Sequence, residues 1–182
     1  MDQTSNPNQM IRFCCSSPTV VIPYTSHPHY KGAGVLFTDA HHALAGVQTR
    51  MTPPCLSGLG GRREATDVDW FDTAWREVIE ELFDVHDVGR VLRRLRTSLP
   101  PRETNHGGYI VLSCSFRDLQ TFLRICRSEG LVSPLYKRIP THVMDLIQAR
   151  TPGSEIGSLA LLPLRPSPLT IHALFQDDLA LA

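Results

Sequence analysis

The densest chemistry in this 182-residue chain lies between Gly60 and Val85, in the stretch GGRREATDVDWFDTAWREVIEELFDV. Within it Arg76, Glu77, Glu80 and Glu81 stand in the order R-E-x-x-E-E. On a helix, Glu77 is one turn from both Glu80 and Glu81, so three carboxylates share one patch. Like charges so placed repel by roughly 0.2–0.5 kcal/mol per pair, and Arg76 is the neighbouring cation. A hard divalent cation would turn that repulsion into coordination, because Mg²⁺ prefers oxygen ligands and keeps several waters. A solvated acidic helix face would carry the same residues with no ligand at all. Spacing alone leaves both readings open.

The elements that must position this patch follow from periodicity. Trp70, Ala74, Val78 and Leu82 recur every four residues with Phe71, Trp75 and Ile79 beside them, which predicts a helix over Asp69–Leu82 with a strongly apolar face. Asp69 or Asp72 supplies its N-cap. Before it, Gly32–Asp39 and His42–Thr49 read as two strands about a short turn, and the Pro- and Gly-rich MTPPCLSGLGGRRE reads as loop. After it, VGRVLRRLRTSLPPRE mixes helical periodicity with Pro100-Pro101, which must end any helix. Gly107–Phe116 is the best strand, preceded by the turn-forming Asn105-His106-Gly107-Gly108. Helices are expected over Asp118–Glu129 and Pro140–Arg150, a strand over Glu155–Leu164, and a closing helix over Leu169–Ala182. Residues 1–18 read as a loose polar arm, and the β-branched run Thr19–Pro23 opens one mixed α/β domain over 19–182.

Composition excludes several classes. Formal net charge is +0, so no global attraction to nucleic acid or membrane is implied. Of the basic residues, only Lys31 and Lys137 are lysines, a skew that suits phosphate contacts and that nucleotide bias also produces. Cys14, Cys15, Cys55, Cys114 and Cys126 form no C-x-x-C pair, which argues against zinc and against a disulfide framework. Cys114 and Cys126 sit in apolar company and are expected to be buried thiols. His41-His42 and His27-x-His29 lack further ligands for a metal. No run approaches the roughly 18 apolar residues of a membrane span, and the polar MDQTSNPNQM has no signal-peptide core. A cytoplasmic, reducing compartment and no membrane partner are the expectation.

The glutamate pattern resembles the Nudix box, G-x5-E-x7-R-E-U-x-E-E-x-G-U, in which U is bulky and apolar. Gly61 stands at the first glycine, and Arg76-Glu77-Val78-Ile79-Glu80-Glu81 matches the R-E-U-x-E-E part in full. Three positions depart from it. Asp67 stands in place of the first Glu with eight residues, not seven, before Arg76, unless Glu64 takes that role. Phe83 replaces the last glycine, which disfavours a tight left-handed cap there, and Asp84 replaces the final apolar residue. The resemblance, spanning about Thr19 to the end, implies an α/β/α sandwich with a mixed β-sheet. It also implies hydrolysis of a nucleoside diphosphate linked to another moiety with Mg²⁺ or Mn²⁺. Glu77, Glu80 and Glu81 would be the ligands, helped by the carbonyl of Gly61. One of these glutamates or Glu155 would act as general base, and Arg76 would orient a carboxylate through a fork-like salt bridge.

The irregular spacing further resembles viral Nudix enzymes that remove mRNA caps, which would work in a host cytoplasm. Arg62 and Arg63 are candidate phosphate contacts. Arg90, Arg93, Arg94 and Arg96, with Arg102 beyond, form a candidate RNA-backbone patch or a solvated helix face. Tyr30, Phe37 and Tyr109 are aromatic candidates for stacking on a base or for the core. A hydrolase of small nucleotides (ADP-ribose, dinucleotide polyphosphates or noncanonical nucleotides) and a catalytically silent binding module of the same fold are the alternatives. The full glutamate set argues against the silent module.

Overall fold

The computed structural model describes residues 26–48, 52–99, 102–153 and 155–164, together with Phe175, Gln176 and Leu179. The expected N-terminal arm, the Thr19–Pro23 run and most of the closing helix lie outside these residues. Seven strands form one mixed sheet. In chain order they are β1 (Gly32–Thr38), β2 (His42–Gln48), β3 (Cys55–Ser57), β4 (Leu59–Arg62), β5 (Glu103–His106), β6 (Tyr109–Ser115) and β7 (Ile156–Pro163). The order β3-β2-β1-β6-β5 makes the main path, with β4 pairing β1 and β7 pairing β2. Only β1 and β6 run parallel among the pairings, from Gly32 opposite Tyr109 to Thr38 opposite Ser115. Helices α1 (Trp70–Phe83), α2 (Gly89–Ser98), α3 (Phe116–Ser128) and α4 (Val143–Gln148) flank it. No helix among the described residues is long and apolar enough to cross a membrane.

Two strands were invisible to a reading based on turn residues. The expected loop over 51–64 contains β3 and β4, and Gly60 and Gly61 lie inside β4 rather than in a turn. Glycine is required there by close approach as well as by backbone angle. Gly60 has φ of 152°, and a Cβ on Gly61 would stand 2.4 Å from the Glu77 carboxyl carbon. A third strand, β5, was missed as well. Asn105 and His106 belong to it, and the hairpin turns on Gly107 and Gly108, with φ of 59° and 96°.

The core explains why α1 forms where periodicity places it. Asp69 is its N-cap and accepts hydrogen bonds from the backbone of Phe71 and Asp72, both at 3.1 Å. The helix runs one residue past the expected Leu82. Phe83 is helical and buried, and the left-handed residue is Asp84, whose N–H donates to the Glu80 carbonyl at 2.7 Å. A left-handed cap therefore does close the helix, one position later than a glycine at residue 83 would place it; Asp tolerates that conformation better than most side chains. Helix α3 starts earlier than expected, at Phe116, because Ser115 and Asp118 make a reciprocal capping box. Cys114 and Cys126 are buried as expected, and burial pushes the Cys114 thiol up to about 12.

Alternation along β1 divides its side chains between two apolar clusters. Ala33, Val35 and Phe37 join the helices in the larger one, and Leu36 joins Ala43, Ala45, Leu56, Val111, Leu162 and Phe175 in the smaller. Trp75 lies at the centre of the larger cluster, with ring centroids 5.0 Å from Phe122 and 5.9 Å from Phe37. Removing that indole leaves a large void, so Trp75→Ala is expected to cost about 3–5 kcal/mol in urea denaturation. A denaturation midpoint equal to that of wild type would mean that this face of α1 is not the buried one.

Candidate functional site

Arg76 is buried on the site side of α1 and ties three segments together. Its Nε and Nη2 grip the two carboxylate oxygens of Asp67 at 2.9 and 3.0 Å. Nη2 also donates to the Arg62 carbonyl at 2.9 Å, which fixes the end of β4. Nη1 reaches Glu77 Oε1 at 3.0 Å and Glu80 Oε2 at 3.1 Å. Burial opposes the charge on Arg76, but Asp67 first, and then Glu77 and Glu80, outweigh it and move its pKa upward. Of Asp67 and Glu64, Asp67 is the one that Arg76 holds. Asp67 holds the fork, with Thr73 Oγ1 and the Glu64 N–H on its Oδ2 at 2.7 and 2.8 Å, while Glu64 is exposed and 3.7 Å from Arg76. Burial pushes the Asp67 pKa up, yet the Arg76, Glu64 and Thr73 hydrogen bonds hold it below the ordinary carboxylate value.

The glutamates sit in graded environments. Glu81 is buried, and its Oε2 accepts the Gly60 N–H at 2.8 Å. Burial raises its pKa well above the usual range, the Gly60 bond and Arg150 oppose the rise, and Glu77 and Glu155 add to it. Glu77 lies against Gly61, and burial raises its pKa too, with Glu80 and Glu155 pushing the same way against Arg76. Carboxyls with raised folded-state pKa values bind protons more tightly folded than unfolded. The metal-free fold therefore loses stability from these two groups as pH rises from about 4.5 through their elevated pKa values.

Together with Glu80, Asp84, His86 and Glu155, these residues border a cleft of about 90 Å³. Glu155, the residue before β7, borders the same cleft as the glutamates of α1. Among the described residues no group of three or more His, Cys, Asp or Glu side chains is set to hold a metal ion. The reason is visible in the contacts, since Glu77 and Glu80 are drawn to Arg76 and Glu81 to Gly60. The donors are nonetheless oxygens, the ligand type a hard cation takes, and burial first, then the neighbouring carboxylates, raise the pKa values of Glu77 and Glu81. The Gly61 carbonyl oxygen lies on the β1 side of this strand, where a Cβ on Gly32 would stand 2.4 Å from it.

Other expected residues fall elsewhere. Arg62 is exposed at the end of β4, and Arg63 lies 4.6 Å over the Tyr30 ring and donates to the Pro28 carbonyl. Tyr30 is buried and bonded to Thr73, and Phe37 is core, so neither stands open to a base; Tyr109 is half-buried beside a second cavity. Arg90, Arg93 and Arg94 share an exposed face of α2, and no residue of α2 is among those lining the acidic cleft. Arg96 leaves that patch. It binds both oxygens of Asp69 at 2.6 and 2.9 Å, bonds Asp72, and lies 4.8 Å over the Phe71 ring, clamping α2 to the start of α1.

Three residues were missed. Asp84 and His86 border the cleft, with His86 Nδ1 3.3 Å from Glu80 Oε1. Arg150, just after α4, donates to the carbonyls of Leu82, Glu81 (2.7 Å) and Ile156 (3.0 Å). It places a cation at the C-terminal end of α1, where the helix dipole favours one. Nothing in the local sequence signals this, because its partners lie about seventy residues away.

No protein-family model matches the chain, and no match was found among curated proteins.

Removing one partner of a buried ion pair typically costs about 3–5 kcal/mol, so Asp67→Ala is expected to destabilise the fold on that scale. Glu64→Ala, at an exposed position, should stay within about 0.5 kcal/mol of wild type. Denaturation of the two variants side by side checks the assignment, and equal losses would overturn it.

Proposed function

We propose that this chain is a Nudix-type, metal-dependent hydrolase that cleaves a nucleoside diphosphate linked to another moiety, with the mRNA cap as its first-choice substrate. The observation that carries the reading is the single cleft bordered by Glu77, Glu80 and Glu81 of α1 and by Glu155, just before β7. A mixed sheet with flanking helices suits the sandwich that the motif implies. Glu77, Glu80 and Glu81 would hold Mg²⁺ or Mn²⁺, with the Gly61 carbonyl in support. Such an ion supplies charge neutralisation at the diphosphate and a lowered pKa for the attacking water.

The chain's own residues do the rest. Arg76 keeps Asp67 as a permanent partner, so releasing Glu77 and Glu80 to a cation does not leave the guanidinium uncompensated. Glu155, which borders the same cleft, would take the proton from water. The cap reading draws on the exposed Arg90, Arg93 and Arg94, which suit an RNA backbone. That no residue of α2 is among those lining the cleft favours the small-nucleotide reading instead.

One experiment separates these readings. The chain is assayed with Mg²⁺ on capped RNA and on a panel of free nucleoside diphosphate derivatives. Glu80→Gln and Glu81→Gln are expected to lower hydrolysis by orders of magnitude, and wild-type turnover in both would overturn the proposal. Neutralising Arg93 and Arg94 is expected to weaken action on capped RNA alone, with the salt slope of binding falling by about 0.7 per arginine. Rates unchanged by that substitution on every substrate would leave the patch as a solvated face, with small nucleotides as the leading substrate class.

A further inference from the structure

Two separate elements border the acidic cleft. Helix α1 brings Glu77, Glu80 and Glu81, and the segment entering β7 brings Glu155. Strand β7 pairs with β2, and the register of that ladder shifts between Val47 and Gln48, where Ile156 lies opposite Gln48. Strand pairing therefore leaves the distance between Glu155 and α1 unset.

Arg150 sets it. Its Nη2 donates to the carbonyl of Glu81 itself at 2.7 Å and to the carbonyl of Ile156, the residue after Glu155, at 3.0 Å. Nη1 holds the Leu82 carbonyl. With one nitrogen serving both backbones, neither can shift without losing a charge-assisted hydrogen bond. The guanidinium is held in turn. It is hydrogen-bonded with Tyr136, whose hydroxyl donates to the Leu146 carbonyl at 2.8 Å. Thr151, next in the chain, donates its N–H and its hydroxyl to the Leu135 carbonyl, both at 3.0 Å. The Gly153 N–H meets the same Ile156 carbonyl at 3.3 Å, and a Cβ on Gly153 would stand 2.9 Å from Nη2.

Three carbonyls on two nitrogens require a rigid fork. A lysine ammonium on its flexible stem carries the charge without that geometry. Arg150 borders the cleft, yet both terminal nitrogens go to backbone carbonyls, so it grips the backbone of the glutamates rather than their carboxylates. We propose that Arg150 is a positioning residue for this cleft: by joining the backbones of Glu81 and Ile156 it fixes Glu155 relative to the glutamates of α1. Its consequence for a cation rests on the hydrolase reading above.

The test is titration of the full chain with Mn²⁺, following the free ion by electron paramagnetic resonance well below the unfolding temperature. Wild type is expected to bind saturably, and Arg150→Ala and Arg150→Lys to bind about tenfold more weakly or worse. Gly153→Ala keeps the arginine but crowds Nη2, so it is expected to weaken binding too, and it decides the matter if the Arg150 variants fail to fold. Leu95→Ala truncates the core on α2, away from the cleft, and is expected to bind as wild type does despite its lost stability. Wild-type affinity in Arg150→Lys would mean that charge alone matters and would overturn the proposal, as would an equal loss in Leu95→Ala or full affinity in Gly153→Ala. A wild type that binds no Mn²⁺ would overturn the cation reading and this role together. Mn²⁺ binding that depends on Arg150, without hydrolysis of any nucleotide substrate, would keep the positioning role and remove the proposed activity.

Discussion

The bidentate bond between Arg76 and Asp67 is the constraint on which the rest of the site depends. It is buried on both sides, with 7% and 3% of the two side chains exposed, so neither ion has solvent as an alternative partner. Through it the 63–68 segment is fastened to α1, and through the Arg62 carbonyl the end of β4 is fastened as well. That places Gly60 and Gly61 directly on Glu81 and Glu77. A side chain at Gly61 would collide with Glu77, so the glycine pair and the glutamates form one packed unit.

Around that bond the site holds more negative charge than it neutralises. Arg76 is shared among Asp67, Glu77 and Glu80, and Arg150 spends its donors on backbone carbonyls. Burial above all, with Glu77 and Glu155 adding to it, raises the pKa of Glu81 well above the usual range, and the Gly60 N–H and Arg150 offset only part of that. Such an arrangement costs folding energy at neutral pH, and its natural remedy is a cation shared by the carboxylates. Strand β4, whose Gly60 and Gly61 pack on Glu81 and Glu77, also lines the larger cavity.

Much of this was legible in the sequence because it is local. The four-residue apolar spacing placed α1 to within a residue, and R-E-x-x-E-E put three carboxylates on one turn. Strands β1, β2, β6 and β7 follow from β-branched and apolar runs. What sequence missed is set by distant contact. β3 and β4 looked like loop because prolines precede them and β4 carries Gly60 and Gly61, which answer to Tyr109 and Glu77, residues remote in the chain. The basic run on α2 looked uniform, yet its fourth arginine, Arg96, pairs with Asp69 and Asp72. Arg150 carries no local pattern at all; only the fold brings it to the cleft.

The central claim is that the carboxylates of α1 are completed by a divalent cation, and thermal unfolding with and without Mg²⁺ tests it most directly. A ligand at a hundredfold excess over its Kd stabilises the folded state by about 2.7 kcal/mol, or roughly 5–10 °C for a domain of this size. Mg²⁺ is expected to raise the wild-type melting temperature on that scale relative to EDTA, and to raise Glu81→Gln by much less. Equal shifts in the two proteins, or none in the wild type, would contradict the account.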